Sequence, residues 1–128
     1  MKVAVTSMGP GLDDLVDTRF GRSRYFVIVE TETMAAEAVP NPAAAAAGGA
    51  GPQAAQVVLD HGAQAVVTGQ LGPHASAPLQ AAGVRCYSTA GGTVREAVER
   101  LKAGRLQALG PEDATFGGRG PRGWRPGA

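Results

Sequence analysis

The sequence predicts an α/β protein in which helices cover a mixed five-stranded sheet. Three observations lead to this prediction: short β-branched runs alternate with amphipathic segments, two of these runs adjoin as in a hairpin, and one run is apolar throughout. Strands separated by helices pair in parallel through right-handed crossovers, whereas a hairpin adds antiparallel strands. The expected strand order is therefore 3-2-1-4-5, with strand 2 antiparallel.

Composition indicates one cytoplasmic domain. The 128 residues, 44% of them hydrophobic, suffice for a single core, and a formal net charge of +1 provides no global field that would attract nucleic acid. The single cysteine, Cys86, rules out an internal disulfide and favours a reducing compartment. The N-terminal apolar run is short for a signal peptide, and no apolar run of about 18 residues follows, so we expect no membrane association.

The first three strands are predicted before residue 40. Residues 2–6 (KVAVT) form a β-branched run, which a long loop rich in glycine, proline and aspartate follows. Residues 24–31 and 34–39 are typical of an antiparallel hairpin. Its turn, near residues 31–33, contains neither glycine nor asparagine, so the turn type stays open.

An alanine- and glycine-rich segment leads into the first predicted helix, residues 52–61. Its first residue is a proline, which suits a first helical position because that N–H would be unpaired anyway. The first turn carries Gln53 and no acidic residue, so its free N–H groups are available to an anion. Three glycines lie at the start of this helix: Gly48, Gly49 and Gly51.

The next strand and helix are predicted in residues 65–82. Residues 65–68 (AVVT) lack polar alternation, which favours a central parallel strand covered on both faces. Residues 75–82 are predicted to be a short helix. Pro78 fits this helix only within the first turn, and Ser76 as N-cap would allow that.

The last strand and helix follow the same pattern. Residues 84–87 are predicted to be the fifth strand. The Thr93-x-x-Glu96 spacing is that of a capping box, which opens a third helix that ends at Gly104.

Beyond residue 109 the chain is rich in glycine, proline and arginine and nearly free of aliphatic residues. Such a segment cannot build a core. We therefore predict a binding domain over residues 1–109 and a disordered Gly/Arg-rich tail over residues 110–128.

Removing the tail is expected to change the free energy of unfolding by less than about 0.5 kcal/mol, because no apolar face would be lost. Thermal denaturation of the full chain and of a chain ending at Leu109 measures the difference. A loss of several kcal/mol would show instead that Phe116 or Trp124 docks on the core.

The order of the strands also predicts where a ligand binds. In open α/β sheets ligands lie beyond the carboxyl ends of the parallel strands, where the order changes direction, here between strands 1 and 4. The loops at these ends, residues 7–8, 69–74 and 88–92, are polar or rich in glycine. Together with the glycine loop before helix 1, they suit an anionic ligand. The candidate binding residues are Arg19, Arg22, Gly48, Gly49, Gly51, Gln53, Gly69 and Gly72.

Two side chains are candidate metal ligands. His74 follows Gly72-Pro73 at the end of the central strand, where a functional histidine and an ordinary loop histidine are both possible. Cys86 alternates with Val84 on a predicted strand, which also suits a buried apolar role.

Enzyme motifs are missing. No lysine follows the glycines as in a phosphate-binding loop, and the glycines precede a helix that follows a hairpin, so the dinucleotide fingerprint fails as well. No GxSxG motif or catalytic triad is assembled. We therefore expect a protein that is not an enzyme.

Several short motifs occur along the chain: Arg19-Phe20-Gly21-Arg22, Tyr25-Phe26, Asn41-Pro42 with the following Ala/Gly stretch, Gln53-Ala54-Ala55, Gly69-x-x-Gly72-Pro73 and Gly92-Thr93-Val94. Their combination resembles the dinitrogenase iron-molybdenum cofactor biosynthesis family over about residues 1–105. The resemblance implies a ribonuclease H-like three-layer fold and a non-enzymatic protein that binds or carries iron-molybdenum cofactor or an iron-sulfur cluster between cofactor assembly proteins. His74 stands where a small polar residue is common in the family.

Two alternatives remain at this point. One is a regulatory or interaction module that binds another anionic ligand. The other is a nuclease, which would need clustered carboxylates around two magnesium ions. The available acids, Asp13, Asp14 and Asp17, lie in a loop beyond strand 1, so nuclease activity is disfavoured.

Overall fold

The computed structural model describes residues 1–45 and 50–109, which form three helices and a mixed sheet. The strands are Lys2–Ser7 (β1), Tyr25–Glu30 (β2), Ala36–Pro40 (β3), Ala65–Thr68 (β4), Arg85–Ser88 (β5) and Gln107–Leu109 (β6). The helices are Ala50–Asp60 (α1), Pro73–Ala81 (α2) and Val94–Lys102 (α3), and a 3-10 turn, Pro42–Ala45, follows β3.

The predicted strand order is confirmed for the first five strands. The sheet runs β3-β2-β1-β4-β5-β6 in the described residues. β2 is antiparallel to both of its neighbours, and β1, β4 and β5 are parallel to one another. Val5 of β1 pairs with Val27 of β2 on one side and with Val67 of β4 on the other. The chain adds β2 and β3 on one side of β1 and then β4 and β5 on the other, so the order changes direction between β1 and β4, as expected.

The prediction of five strands is wrong, because β6 adds a sixth. β6 pairs antiparallel with β5, and the amide Nε2 of Gln80 donates a hydrogen bond to the carbonyl of Leu109 (3.1 Å). The strand has three residues and none is β-branched, so its sequence lacks the pattern that marks a strand. Its conformation depends on the open edge of β5.

Helices cover both faces of the sheet. α1 and α2 pack together on one face and α3 packs on the other. The core between α3 and the sheet contains Val3, Val5, Val27, Val29, Val67, Val94 and Val98, and the core beneath α1 and α2 contains Ala4, Phe26, Val66, Ala54, Val58 and Leu79. Because successive strand residues point to opposite faces, the central strands are apolar throughout. No helix of the described residues is long and apolar enough to cross a bilayer.

Two predicted helix starts are corrected. α1 begins at Ala50, two residues before Pro52, and so Pro52 lies within the first turn. α2 has Gly72 as N-cap and begins at Pro73. Ser76 is therefore not an N-cap, and Pro78 lies inside the helix. Proline suits the first helical position, which explains why the chain enters α2 at Pro73.

The third helix and the hairpin follow the sequence closely. Thr93 Oγ1 accepts the N–H of Glu96 (3.1 Å), and Glu96 Oε1 accepts the N–H of Thr93 (2.9 Å), which confirms the capping box. In the hairpin turn, Met34 takes the left-handed conformation (φ 62°) that glycine or asparagine usually provides.

Candidate functional site

The loops at the carboxyl ends of β1 and β4 meet the starts of α1 and α2. We call this surface the carboxyl rim and define it as residues 18–22, 50–53 and 69–74. The rim lies at the predicted change of strand direction, and contacts between its three segments hold it together.

Close backbone contact between Gly69 and Thr18 joins the first two of these loops. A Cβ atom on Gly69 would lie 2.5 Å from Thr18 Cβ and 2.8 Å from Thr18 Cα, so only glycine fits. The N–H of Gln70 donates to the carbonyl of Thr18 (2.7 Å), and Gln70 pairs with Arg19 as an isolated bridge. This contact places Arg19 beside the loop that leads to α2.

Two further glycines bring the helix starts to the same place. A Cβ on Gly21 would lie 3.1 Å from the backbone N of Gly51, and a Cβ on Gly51 would lie 3.4 Å from Ala75 Cβ. The loop from β1 thus contacts α1, and α1 contacts α2. Gly51 therefore has a packing role inside α1, and its place is in a helix rather than in the predicted loop before it.

Asn41 and Phe20 fix the loop that carries the two rim arginines. Asn41 Nδ2 donates to the carbonyls of Gly21 (3.2 Å) and Ser23 (2.8 Å), and Asn41 Oδ1 accepts the N–H of Ala43 (3.0 Å). Phe20 is buried, with its ring centroid 5.4 Å from that of Phe26. A buried ring and two of these hydrogen bonds hold the backbone of this loop, and the third ties Asn41 to the 3-10 turn.

Arg19 is an exposed cation on a buried acid. Its guanidinium Nε lies 3.3 Å from Asp17 Oδ1, and its backbone N–H donates to the same oxygen (3.0 Å). The Arg19 side chain is 63% exposed and that of Asp17 is 5% exposed. Asp17 orients the arginine and offsets part of its charge, so the positive charge that Arg19 offers to a ligand is smaller than the sequence suggested. Sequence reasoning missed this role, and the only signal was the Asp17-x-Arg19 spacing.

Arg22, in the same loop, contacts the 3-10 turn. Its Nη1 donates to the carbonyl of Ala44 (3.3 Å), and its side chain is exposed. This bond ties Arg22 to the 3-10 turn. Gln53 is likewise exposed, in the first turn of α1.

The N-terminus of α2 is the second polar feature of the rim. Its N-cap, Gly72, provides no side-chain cap, and its first turn contains no acidic residue. A Cβ on Gly72 would meet nothing within 4 Å, so the space beside it is open. His74, at the second helical position, is exposed and makes no hydrogen bond or ion pair within residues 1–45 and 50–109. A histidine in this position can reach a ligand held at the rim.

Cys86 does not lie at the rim. It is 2% exposed and belongs to the core beneath α1 and α2. Burial raises the pKa of its thiol to about 11. Because the thiolate is the form that binds metals, the fold gives Cys86 the properties of a small core residue.

The remaining predicted positions either fall outside the residues that the structure describes or bond to residues away from the rim. Gly48 and Gly49 fall outside the residues that the structure describes. Asp13 forms an ion pair with Arg95 (3.0 Å), and Asp14 Oδ2 accepts the N–H of Gly11 (2.7 Å). Within the described part of the chain, no group of three or more His, Cys, Asp or Glu side chains could hold a metal ion.

Comparison with known proteins identifies the class to which this fold and rim belong. The chain matches the family described as dinitrogenase iron-molybdenum cofactor over residues 1–104. It therefore belongs to that family, and the resemblance inferred from the motifs is confirmed. A search of curated proteins found no match.

Solved structures agree with this assignment. The apo form of the orange protein from Desulfovibrio gigas is 47% identical, covers 84% of this chain and 92% of its own, and has a TM-score of 0.81. A NifB-like protein from Thermotoga is 37% identical, covers 93% of this chain and 98% of its own, and has a TM-score of 0.75. A dinitrogenase-like protein from Methanocaldococcus jannaschii is 15% identical, covers 85% of this chain and 94% of its own, and shares the fold (TM-score 0.61).

Proposed function

We propose that this protein is a non-enzymatic, cytoplasmic carrier that binds an iron-molybdenum or iron-sulfur cofactor, or its precursor, at the carboxyl rim. The observation that carries the proposal is the family match over residues 1–104, which includes every rim residue. The ribonuclease H-like class and a handover to cofactor assembly proteins, both implied by the family resemblance, are part of the same proposal.

The rim has the chemistry that an anionic metal-sulfur cluster requires. At the start of α2, Pro73 has no N–H and the N–H of Ala75 donates to the carbonyl of Gly72 (3.2 Å), so this end offers the N–H of His74 and the positive end of a helix dipole. Arg19 adds an exposed cation, and His74 adds one imidazole ligand. A single side-chain ligand holds a cluster weakly and reversibly, as a carrier needs, whereas a permanent iron-sulfur site uses several thiolates.

Anaerobic purification tests the proposal. The full chain would be produced in cells given iron and molybdenum, then analysed for metals and by absorbance spectroscopy, and the metal-free protein would be offered a cluster in vitro. We expect a coloured protein or uptake of the cluster. A colourless protein that contains no metal and takes up no cluster would contradict the proposal.

Replacing Arg19 by alanine is expected to weaken cluster binding by about two- to fivefold at low salt, since exposed charge pairs contribute little and salt screens them. The difference should shrink as ionic strength rises. Titrations of the cluster at two salt concentrations measure it. Arg85→Ala is the matched control, because Arg85 is an exposed arginine at the start of β5, at the end of the parallel strands opposite the carboxyl rim. Equal losses in both variants, or a loss independent of salt, would contradict a direct role for Arg19.

A further inference from the structure

A second basic surface lies beside the rim, on the side of β5 and β6. There the loop after β5 and the segment before β6 border an open groove of about 630 Å³. Its lining contains two arginines and, among the described residues, no acidic one. We call this surface the β5–β6 groove. It is lined by Ser88, Thr89, Ala90, Gly91, Arg100, Arg105, Leu106 and Gln107.

The end of α3 brings the two arginines together. Gly104 has a positive φ of 71°, its N–H donates to the carbonyl of Leu101 (3.0 Å), and the N–H of Arg105 donates to the carbonyl of Arg100 (2.9 Å). These two bonds are those of a Schellman motif. The chain reverses at Gly104, so both arginines line the same groove although five positions separate them in the sequence.

The two arginines differ in how they are held. Arg100 Nη1 donates to the carbonyl of Gly91 (3.2 Å) and to Thr89 Oγ1 (3.4 Å), which orients its guanidinium over the loop. Arg105 is exposed, and its side chain makes no hydrogen bond or ion pair within residues 1–45 and 50–109. Neither arginine is ion-paired there. Two cations without acidic partners at one concave surface are suited to an anion with several acceptor oxygens.

We propose that the β5–β6 groove binds a tetrahedral oxyanion, either free phosphate or the phosphate group of a larger ligand, with Arg100 and Arg105 as the two cationic contacts. Ser88 and Thr89 add two hydroxyls to the lining, and that of Thr89 lies beside Arg100, whose Nη1 is 3.4 Å from Thr89 Oγ1. The proposal does not depend on cluster binding at the rim.

A titration of the full chain with inorganic phosphate, followed by amide chemical shifts, tests this proposal. We expect saturable shifts at residues 88–91 and 105–107. Arg105→Gln should weaken binding by about fivefold, because charge-assisted hydrogen bonds are lost. This variant removes no contact of the described protein, so it leaves the fold intact. Arg100→Gln should have an equal or larger effect.

Two further variants control for charge. Lys102→Gln removes an exposed cation on the same helix that does not line the groove, so affinity should stay within about twofold. Glu96 lies near Arg100, since Glu96 Oε1 and Arg100 Nη1 lie 2.7 and 3.3 Å from the position that a Cβ on Gly92 would occupy. Glu96→Gln removes a negative charge that would repel a bound anion, so it should tighten binding by about twofold. Glutamine preserves the capping box.

The outcomes separate the proposal from general attraction of anions. Shifts that do not saturate, shifts confined to residues 18–22 and 72–74, or equal losses in Arg105→Gln and Lys102→Gln would overturn it. A parallel titration with adenosine monophosphate identifies the source of the oxyanion. Tighter binding than phosphate, with shifts at Leu106, supports a phosphate ester, whereas equal affinity supports the free ion.

Discussion

Replacing His74 by alanine is expected to lower the affinity for a metal-sulfur cluster by about ten- to 100-fold. Losses of metal affinity of this size are common when a residue that supports a metal site is substituted. His74 is the one exposed imidazole next to the uncapped start of α2, and among the residues described it forms no bond that a ligand would have to break. The variant should fold normally, since alanine is the residue most favourable to a helix.

The measurement is a cluster titration of the metal-free protein under anaerobic conditions, with circular dichroism to confirm the fold. His61→Ala is the matched control. His61 directly follows α1, and its ring Nδ1 lies 2.9 Å from the carbonyl of Val57. Because α1 starts at the carboxyl rim, His61 lies at the far end of this helix, away from the rim. Unchanged affinity in His74→Ala would place the ligand elsewhere, and a loss as large in His61→Ala would show that the effect is indirect.

Replacing Gly69 by alanine is expected to destabilise the protein by about 1–3 kcal/mol, the usual cost of forcing an extra carbon into a packed site. The new Cβ would lie 2.5 Å from Thr18 Cβ and 2.8 Å from Thr18 Cα. The backbone of Thr18 cannot rotate away from the new methyl group as a flexible side chain could. The loops that follow β1 and β4 must therefore move apart. The hydrogen bond from Gln70 to Thr18 (2.7 Å) would weaken with them.

Urea denaturation of the full chain measures this difference. Gly72→Ala is the control within the same loop, because a Cβ on Gly72 would meet nothing within 4 Å and its φ of −76° suits any residue. Its cost should stay below about 1 kcal/mol, the preference for glycine over alanine at an N-cap. Equal stability of Gly69→Ala and the parent protein would show that the two loops are not held together as described. Cluster binding should weaken in Gly69→Ala, since Arg19 moves with Thr18.

Some of the local prediction errors have a common physical origin. Short-range preferences alone predict Pro52 as the first residue of α1 and Ser76 as the N-cap of α2, and both predictions are wrong. Tertiary contacts lie at the start of α1: a Cβ on Gly21 would lie 3.1 Å from the backbone N of Gly51, and a Cβ on Gly51 would be in van der Waals contact with Ala75 Cβ (3.4 Å). Three residues of β6 become a strand only because β5 offers an unpaired edge.

The loops that form the rim meet for a reason of topology. The carboxyl ends of parallel strands share one edge, so the loops after β1 and β4 had to meet once the strand order was known. The pairing of Arg19 with buried Asp17 could not be foreseen, because burial of a loop acid depends on which segments cover it. The same holds for Arg100 and Arg105, which the turn at Gly104 brings to one groove.

The sequence by itself determined the strand order, the apolar central strands, the capping box of α3 and the family, since each depends on local periodicity or on short motifs. Tertiary structure decided which candidate groups are accessible. It buried Cys86 in the core, because this residue lies on the face of the sheet that α1 and α2 cover. It left His74 exposed, because this residue is the second of α2 and lies at the carboxyl rim. Accessibility depends on what the rest of the chain packs against, and no local pattern contains that information.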